Sequence, residues 1–431
     1  MATPDPKHVG GISSSSSSNG SSTSTSTNGS TSTSPTRPVH ILFVGAGAVG
    51  CFYASRLHHP SHNVYTSLTA RSNYAAIASS GVTLQTRSFG DYTFHPHAVF
   101  PSVAAAVAGA PPKRNTSSSS STGDDDENNE EGGWDYVVVT TKALPDRTDD
   151  AAMIAPLVTP RRTCVVLIQN GVGVEAPYRA RFPANPIVSG VTVVSAEQTS
   201  PGVVRQNRWT RISLGPYVRG LQPNTPTSTS TATATANANA NANANTDTNT
   251  DDDDLAARGQ ACMERLAGWW TSPGGLRDAE PHTERELQAI RWHKLCINAA
   301  FNSTAVLSGG RGNADQLTDA ELRRHVAGVM REVWDAAPAV LGGPSFPPEG
   351  LGGLATPERI LRSTERNPGA RPSMLLDWDA GRPMELEVIL GNPVRLARAA
   401  GVEMPRLQSL YALLRSMQAV REAARPREGK L

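Results

Sequence analysis

Near the start of the chain, Gly45-Ala46-Gly47-Ala48-Val49-Gly50 has the residue types and spacing to hold a pyrophosphate. In a G-x-G-x-x-G turn the first glycine permits the tight bend and the second lets the backbone approach the anion. The third lets the following helix pack against the preceding strand. Unpaired N–H groups of the helix's first turn then face the negative charge, with the helix dipole behind them. The surroundings give the motif its meaning. The β-formers Val39, Ile41, Leu42, Phe43 and Val44 run up to it, and Val49, Phe52, Tyr53 and Leu57 follow at helical spacing.

Three later positions extend this dinucleotide site. His62 to Leu68 reads as a second strand, followed by Thr69-Ala70-Arg71. NAD-preferring enzymes place an acid at this point to hold the ribose hydroxyls. No Asp or Glu occurs between Leu57 and Ser88, and Arg71 stands there instead. A guanidinium suits a 2′-phosphate, so the reading is NADP(H), with a solvated surface arginine as the alternative. Trp134 to Thr141 is an expected buried strand with Lys142 at its carboxyl end. Open α/β sheets bind ligands at that end, and a lysine there can meet phosphates. Thr163 to Ile168 is another such strand, ending in Gln169-Asn170-Gly171. Asn-Gly is first a turn signal, but at this end of a strand Asn170 can aim its carboxamide at a nicotinamide or a substrate.

A different kind of group appears in Ile290 to Val306, IRWHKLCINAAFNSTAV. Lys294, Asn298 and Asn302 are four residues apart, so they line one helical stripe that drifts by about 40° per step. Asparagine is a poor helix former, and Leu295, Ile297, Ala299, Ala300 and Phe301 flank the stripe. Polar groups turned to a cleft fit this better than a helix edge that is merely polar. Arg371 to Asn392, RPSMLLDWDAGRPMELEVILGN, supplies Ser373, Asp377, Asp379 and Arg382, then a helix expected to be entered at Pro383. Glu385 would fall in its first turn, where the dipole alone favours an acid.

The elements that must position these residues alternate at first. Asn73 to Ser79 and residues 148–158 read as helices, Val82 to Thr93 as a β-ribbon, and Pro186 to Ser195 and Gly202 to Leu214 as strands closing the sheet. Strand–helix alternation implies a doubly wound α/β domain over residues 38–221. Beyond it the pattern turns helical: Leu255 to Trp270, Glu284 to Val306, Asp315 to Ala337, Pro357 to Ser363 and Glu385 to Ala400. These make an expected all-α domain over residues 255–425. Three stretches have too little apolar area to offset the entropy of ordering them: the Ser/Thr-rich tail 1–37, the insertion 115–133 and the insertion 222–254.

The 431 residues carry a net charge of +1, which points to neither nucleic acid nor an anionic membrane as a partner. No apolar run approaches the roughly 18 residues of a membrane span. Four scattered cysteines, without a C-x-x-C, suit free thiols of a reducing compartment, with no metal site indicated. The amino-terminal tail lacks the regular arginines of a transit peptide, so the expected location is cytoplasmic, with mitochondrial import as the alternative.

Taken in order, five motifs resemble the ketopantoate reductase family (2-dehydropantoate 2-reductase). They are GAGAVG, Lys142 after VVVTT, Gln169-Asn170-Gly171, W-x-K-L-x-x-N-x-x-x-N, and S-M-x-x-D-x-x-x-G-x-x-x-E-x-E-x-x-x-G. The resemblance implies an α/β, Rossmann-like dinucleotide-binding domain followed by an all-α C-terminal domain, with the active site between them. It puts Lys294 on the family's catalytic lysine and Glu385 on its essential glutamate. Asn298, Asn302 and Ser373 fall on substrate positions, and Gly45, Gly47, Gly50, Arg71, Lys142 and Asn170 on cofactor positions. The implied reaction is NADPH-dependent reduction of 2-dehydropantoate to (R)-pantoate, on the route to pantothenate and coenzyme A. Lys294 would be its proton donor. A different 2-oxo acid, or a non-catalytic NADP-binding sensor, are the competing readings. Any homodimer would form through the helical domain. One departure is Cys51, directly after the last glycine. Trp378 and Asp379, near the presumed cleft, are positions that could alter substrate choice.

Overall fold

The computed structural model describes residues 37–111, 132–220 and 244–424. The expected disorder of the tail, and of most of the two insertions, lies outside the described residues. Among those described, ten strands form one sheet: β1 (Val39–Val44), β2 (Val64–Thr69), β3 (Val82–Thr86), β4 (Gly90–Phe94), β5 (Val99–Phe100), β6 (Tyr136–Val139), β7 (Cys164–Leu167), β8 (Ile187–Ser200), β9 (Val203–Pro216) and β10 (Ala279–Pro281). Their order is β4-β3-β9-β8-β7-β6-β1-β2-β5, with β10 paired to β9. From β5 to β8 every pairing is parallel. Parallel strands are covered on both faces and read as unbroken apolar runs. The runs YVVV of β6 and CVVL of β7 are buried at every position.

One face of the sheet carries α1 (Ala48–Ser55) and α2 (Tyr74–Ser80), which bury Phe52, Tyr53 and Ile77. The other carries α3 (Val103–Ala108), α4 (Asp150–Ile154) and α5 (Ala176–Arg181). Strands β8 and β9 do not close the sheet as expected, because the β3–β4 hairpin adds beyond β9. Both are also longer than their apolar cores. The distal polar stretches SAEQTS and VVRQNRW pair with each other, and Val203 to Gln206 pairs with β3.

The largest difference from the sequence reading is α6 (Ala244–Thr271). It starts inside the stretch expected to stay unfolded, and it lies on the sheet instead of in the helical region. Cys262, Met263, Leu266, Ala267 and Trp270 join the core beneath α1, and Trp270 Nε1 donates to the Tyr53 carbonyl at 3.0 Å. Helical periodicity gave the element; nothing in it said which face of which layer it would cover.

The helical core begins with α7 (Glu284–Ile297), opened by a capping box between Thr283 and Glu286. A π turn, Asn298–Asn302, joins α7 to α8 (Ser303–Leu307). Then follow α9 (Ala320–Leu341), α10 (Pro357–Glu365), α11 (Ser373–Asp379), a second π turn at Glu387–Gly391, α12 (Asn392–Ala399) and α13 (Pro405–Ala423). The last helix was not expected, although Leu407, Leu410 and Leu414 recur on one buried side. Trp292, Phe301, Met330, Met374 and Leu390 fill this core, and Ala143, Val172 and Val174 enter it from the loops after β6 and β7. The ends of those two strands are thereby seated in the helical region. No described helix is long and apolar enough to cross a membrane.

Candidate active site

At the carboxyl end of β1, Gly45 takes a φ of +117°, a conformation that only glycine adopts without strain. A Cβ on Gly50 would lie 2.1 Å from the Gly45 carbonyl oxygen, so α1 can seat against the turn only with glycine there. A Cβ on Gly47 would meet nothing within 4 Å. The space above Gly47 is open, and this residue caps α1 without a side-chain hydrogen bond. The first-turn amides of α1, from Ala48, Val49 and Gly50, are therefore free of a side-chain cap. A pyrophosphate fits this cradle.

The cradle is held from two sides. Thr140 Oγ1 donates to the Gly45 carbonyl at 2.6 Å. Asn73 Nδ2, buried, donates to the Ala46 carbonyl at 2.7 Å and exchanges a reciprocal pair of hydrogen bonds with Gln198 on β8, at 2.8 and 2.7 Å. Arg71 lies two residues past β2, exposed, with no acidic partner among the described residues. Lys142 is exposed and forms an ion pair, from the loop after β6, with the buried Asp377 on α11. Arg382 holds the same carboxylate at 3.1 Å.

On the helical side, Lys294 Nζ donates to Asn170 Oδ1 at 2.8 Å, and Asn170 Nδ2 donates to Glu385 Oε2 at 3.2 Å. The Ala143 amide donates to Glu385 Oε1 at 3.1 Å. One carboxamide from the end of β7 thus joins the ammonium to the carboxylate. Glu385 precedes the helix instead of sitting in its first turn, and its main-chain carbonyl accepts from Ile389 N. Its side chain, 6 % exposed, is used across the seam and not on its own helix. Burial raises its pKa, opposed by the two hydrogen bonds and by Lys142. Burial, and then the guanidinium of Arg291, bring the Lys294 ammonium down to about 8, with Glu385 pulling the other way. Such a lysine is still an acid at neutral pH and gives up its proton readily.

Asn298 and Asn302 begin and end the first π turn. An α-helix would rotate Asn302 past Asn298, and the wider π turn reduces that drift. Among the described residues, Asn298 is half-buried with no side-chain hydrogen bond, and Asn302 is 5 % exposed with its Nδ2 lacking a partner. Ser373 opens α11 and is exposed. Helix α11 packs against α8 and the first π turn, and the two π turns contact each other. Single π turns inserted in helices recur at functional sites.

The family model for ketopantoate reductase PanE/ApbA matches residues 41–219, and that for the C-terminal part of the same family matches residues 286–418. The chain belongs to the ketopantoate reductase family. It is 27 % identical over 404 residues to an uncharacterised protein of Saccharomyces cerevisiae, covering 88 % of this chain and 93 % of that one. To a 2-dehydropantoate 2-reductase of Nostoc it is 23 % identical over 372 residues, covering 86 % and 93 %. The crystal structure of 2-dehydropantoate 2-reductase from Methylococcus capsulatus superposes with a TM-score of 0.64 at 27 % identity, covering 91 % of this chain and all of that one.

Within this ketopantoate reductase fold, the sequence reading missed the residues that hold the site residues. Asn73 and Gln198 are separated by 125 positions, and neither belongs to a motif. Asp377 stands in a motif, whose spacing does not reveal Lys142 as its partner. Arg291 is 3 % exposed and lies one helical turn before Lys294. The signal available was its place in the IRWHK run: a charge one turn from the stripe, among apolar neighbours.

Proposed function

We propose that this protein reduces 2-dehydropantoate to (R)-pantoate with NADPH, on the route to pantothenate, with Lys294 as the proton donor. The observation that carries the reading is the line Lys294–Asn170–Glu385, in which a lysine with its pKa brought down to about 8 faces a buried carboxylate through one carboxamide. Relatives named 2-dehydropantoate 2-reductase in Nostoc and Methylococcus capsulatus support the substrate.

Gly45 to Gly50, Arg71 and Lys142 are the residues that would hold NADPH, with Asn170 beside the nicotinamide. When bound, the cofactor supplies the hydride. The chain supplies the rest. Lys294 donates a proton to the ketone oxygen as negative charge develops there. The free Nδ2 of Asn302 and the Ser373 hydroxyl bind the carboxylate of a 2-oxo acid, and Asn298 keeps substrate and ammonium in register. Glu385 accepts from the substrate's hydroxyl, which is the feature that favours a hydroxylated 2-oxo acid.

The test is NADPH oxidation by the purified protein with 2-dehydropantoate, beside a panel of 2-oxo acids. Fast turnover of 2-dehydropantoate is expected. Faster turnover of another acid would keep the chemistry and replace the substrate; NADPH binding without any reduction would favour a sensor.

A further inference from the structure

The carbonyls on either side of Asn170 are both taken by one side chain. Arg291 Nη1 donates to the Gln169 carbonyl and to the Gly171 carbonyl, each at 2.9 Å. Its Nη2 donates to Ser189 Oγ at 2.5 Å and to the Gly190 carbonyl at 3.3 Å. Nε lies 3.0 Å from Glu175 Oε1 as an ion pair without making a hydrogen bond, and the two side chains are 2 % and 1 % exposed. Glu175 in turn accepts from Ser189 Oγ at 2.7 Å and from Gln288 Nε2 at 3.0 Å. The two Nη groups of the planar fork together make four hydrogen bonds, to the turn and to β8, which the three N–H groups of a compact ammonium cannot reproduce.

We infer that Arg291 is a positioning residue of the reductase site, clamping the turn that carries Asn170 so that its carboxamide spans Lys294 and Glu385. This rests on the proposed reductase reading. The clamp is built at the seam. Arg291 and Lys294 share α7, so the helix that delivers the ammonium also delivers the brace for its partner. On its far side the turn meets the second π turn, where Val172 N donates to the Val388 carbonyl at 2.9 Å. The charged groups facing the Lys294 ammonium are Arg291 on its own helix and Glu385 across the seam, while Asn170 from the sheet side is neutral. Arg291 therefore acts twice: it fixes the turn, and its charge helps Lys294 to release its proton.

Two variants separate these effects. Arg291→Lys keeps the charge and loses the fork. The double variant Arg291→Met with Glu175→Gln removes both buried charges, so neither is left unpaired. In the full-length protein, Arg291→Lys is expected to lower kcat about tenfold with the alkaline limb of its pH profile unmoved. The double variant should lower kcat about thirtyfold or more, and its alkaline limb should move up. NADPH affinity should stay within threefold in both, because the glycine cradle is untouched. A role in stability alone would lower the melting temperature and leave kcat per folded molecule unchanged, which would overturn the inference. If the wild type reduces no 2-oxo acid, hydrogen exchange over residues 169–173 still decides: faster exchange confined to that turn in the double variant supports the clamp, and unchanged exchange overturns it.

Discussion

The two walls of the cleft are built from different materials. The wall proposed for the cofactor is main chain, a bend whose amides are usable because three side chains are missing and because Thr140 and Asn73 hold its carbonyls. The wall proposed for the substrate is side chain, where Lys294, Asn170 and Glu385 come from three separate elements and meet through hydrogen bonds of 2.8 and 3.2 Å. A main-chain wall is specified by what a short segment omits. A side-chain wall depends on the packing of everything behind it, and its failures should be chemical before they are structural.

The widest separation between the walls should come from Lys294→Ala. Loss of a general acid lowers kcat by about 10²- to 10⁴-fold, while the dissociation constant for NADPH, read by fluorescence titration, should hardly change. The same wall should set the pH profile. In the proposed reaction Lys294 acts protonated, so kcat should fall as pH rises through about 8. In the same proposal Glu385 acts ionised, and burial raises its pKa, so the acid limb should lie above the ordinary carboxylate range. A profile flat from pH 7 to 9 would remove Lys294 from the role of acid.

On the cofactor wall the effects should be smaller and confined to binding. Arg71→Ala loses charge-assisted hydrogen bonds to a 2′-phosphate, each worth about 1.5–3 kcal/mol. NADPH should bind roughly 10- to 100-fold more weakly, with NADH unaffected. Equal weakening of both cofactors would mean that Arg71 does not read the phosphate. Gly47→Ala and Gly50→Ala then divide approach from packing. Gly47→Ala should leave the melting temperature unchanged and weaken NADPH by about tenfold, or about 1.4 kcal/mol. Gly50→Ala should destabilise the fold itself, by about 1–3 kcal/mol, because its Cβ has no room. The smallest change is expected from Gln198→Leu, which unpairs Asn73. A rise of a few-fold in the KM for NADPH at constant kcat would show the amide pair acting on the cradle alone, and a matching fall in kcat would blur the distinction between the walls.

The same division explains what could be read from the amino acids. The cofactor wall was legible because its determinants lie within six consecutive positions, bracketed by a strand and a helix. The Lys294 stripe was legible because two asparagines in an apolar helix are out of place. For Glu385 the dipole of its own helix offers a sufficient local reason for an acid, whereas its partners lie in the loops after β6 and β7. Gln198 and the link between Lys142 and Asp377 were illegible, since each acts on a residue at least 100 positions away; Arg291 left only the trace of a charge one turn from the stripe, and the turn it holds is as distant. The helix α6 was recognised as a helix and assigned to the wrong layer. Its apolar stripe fits a sheet as well as a bundle, and the trend of its neighbours pointed the wrong way. The π turns left no trace, because a spacing of four is compatible with either kind of turn.

Each of those π turns holds one residue more than an α-helical path needs. Taking one residue out of Asn298–Asn302 would repair the helix and still ruin the site, because Asn298 and Asn302, then three residues apart, would stand about 60° off one line. The segment from Lys294 to Asn302 therefore behaves like a reading frame. Its letters can be exchanged singly at graded expense, whereas its length cannot change by one. Among relatives, a one-residue gap inside either π turn would mark a protein with altered chemistry more surely than many substitutions around it.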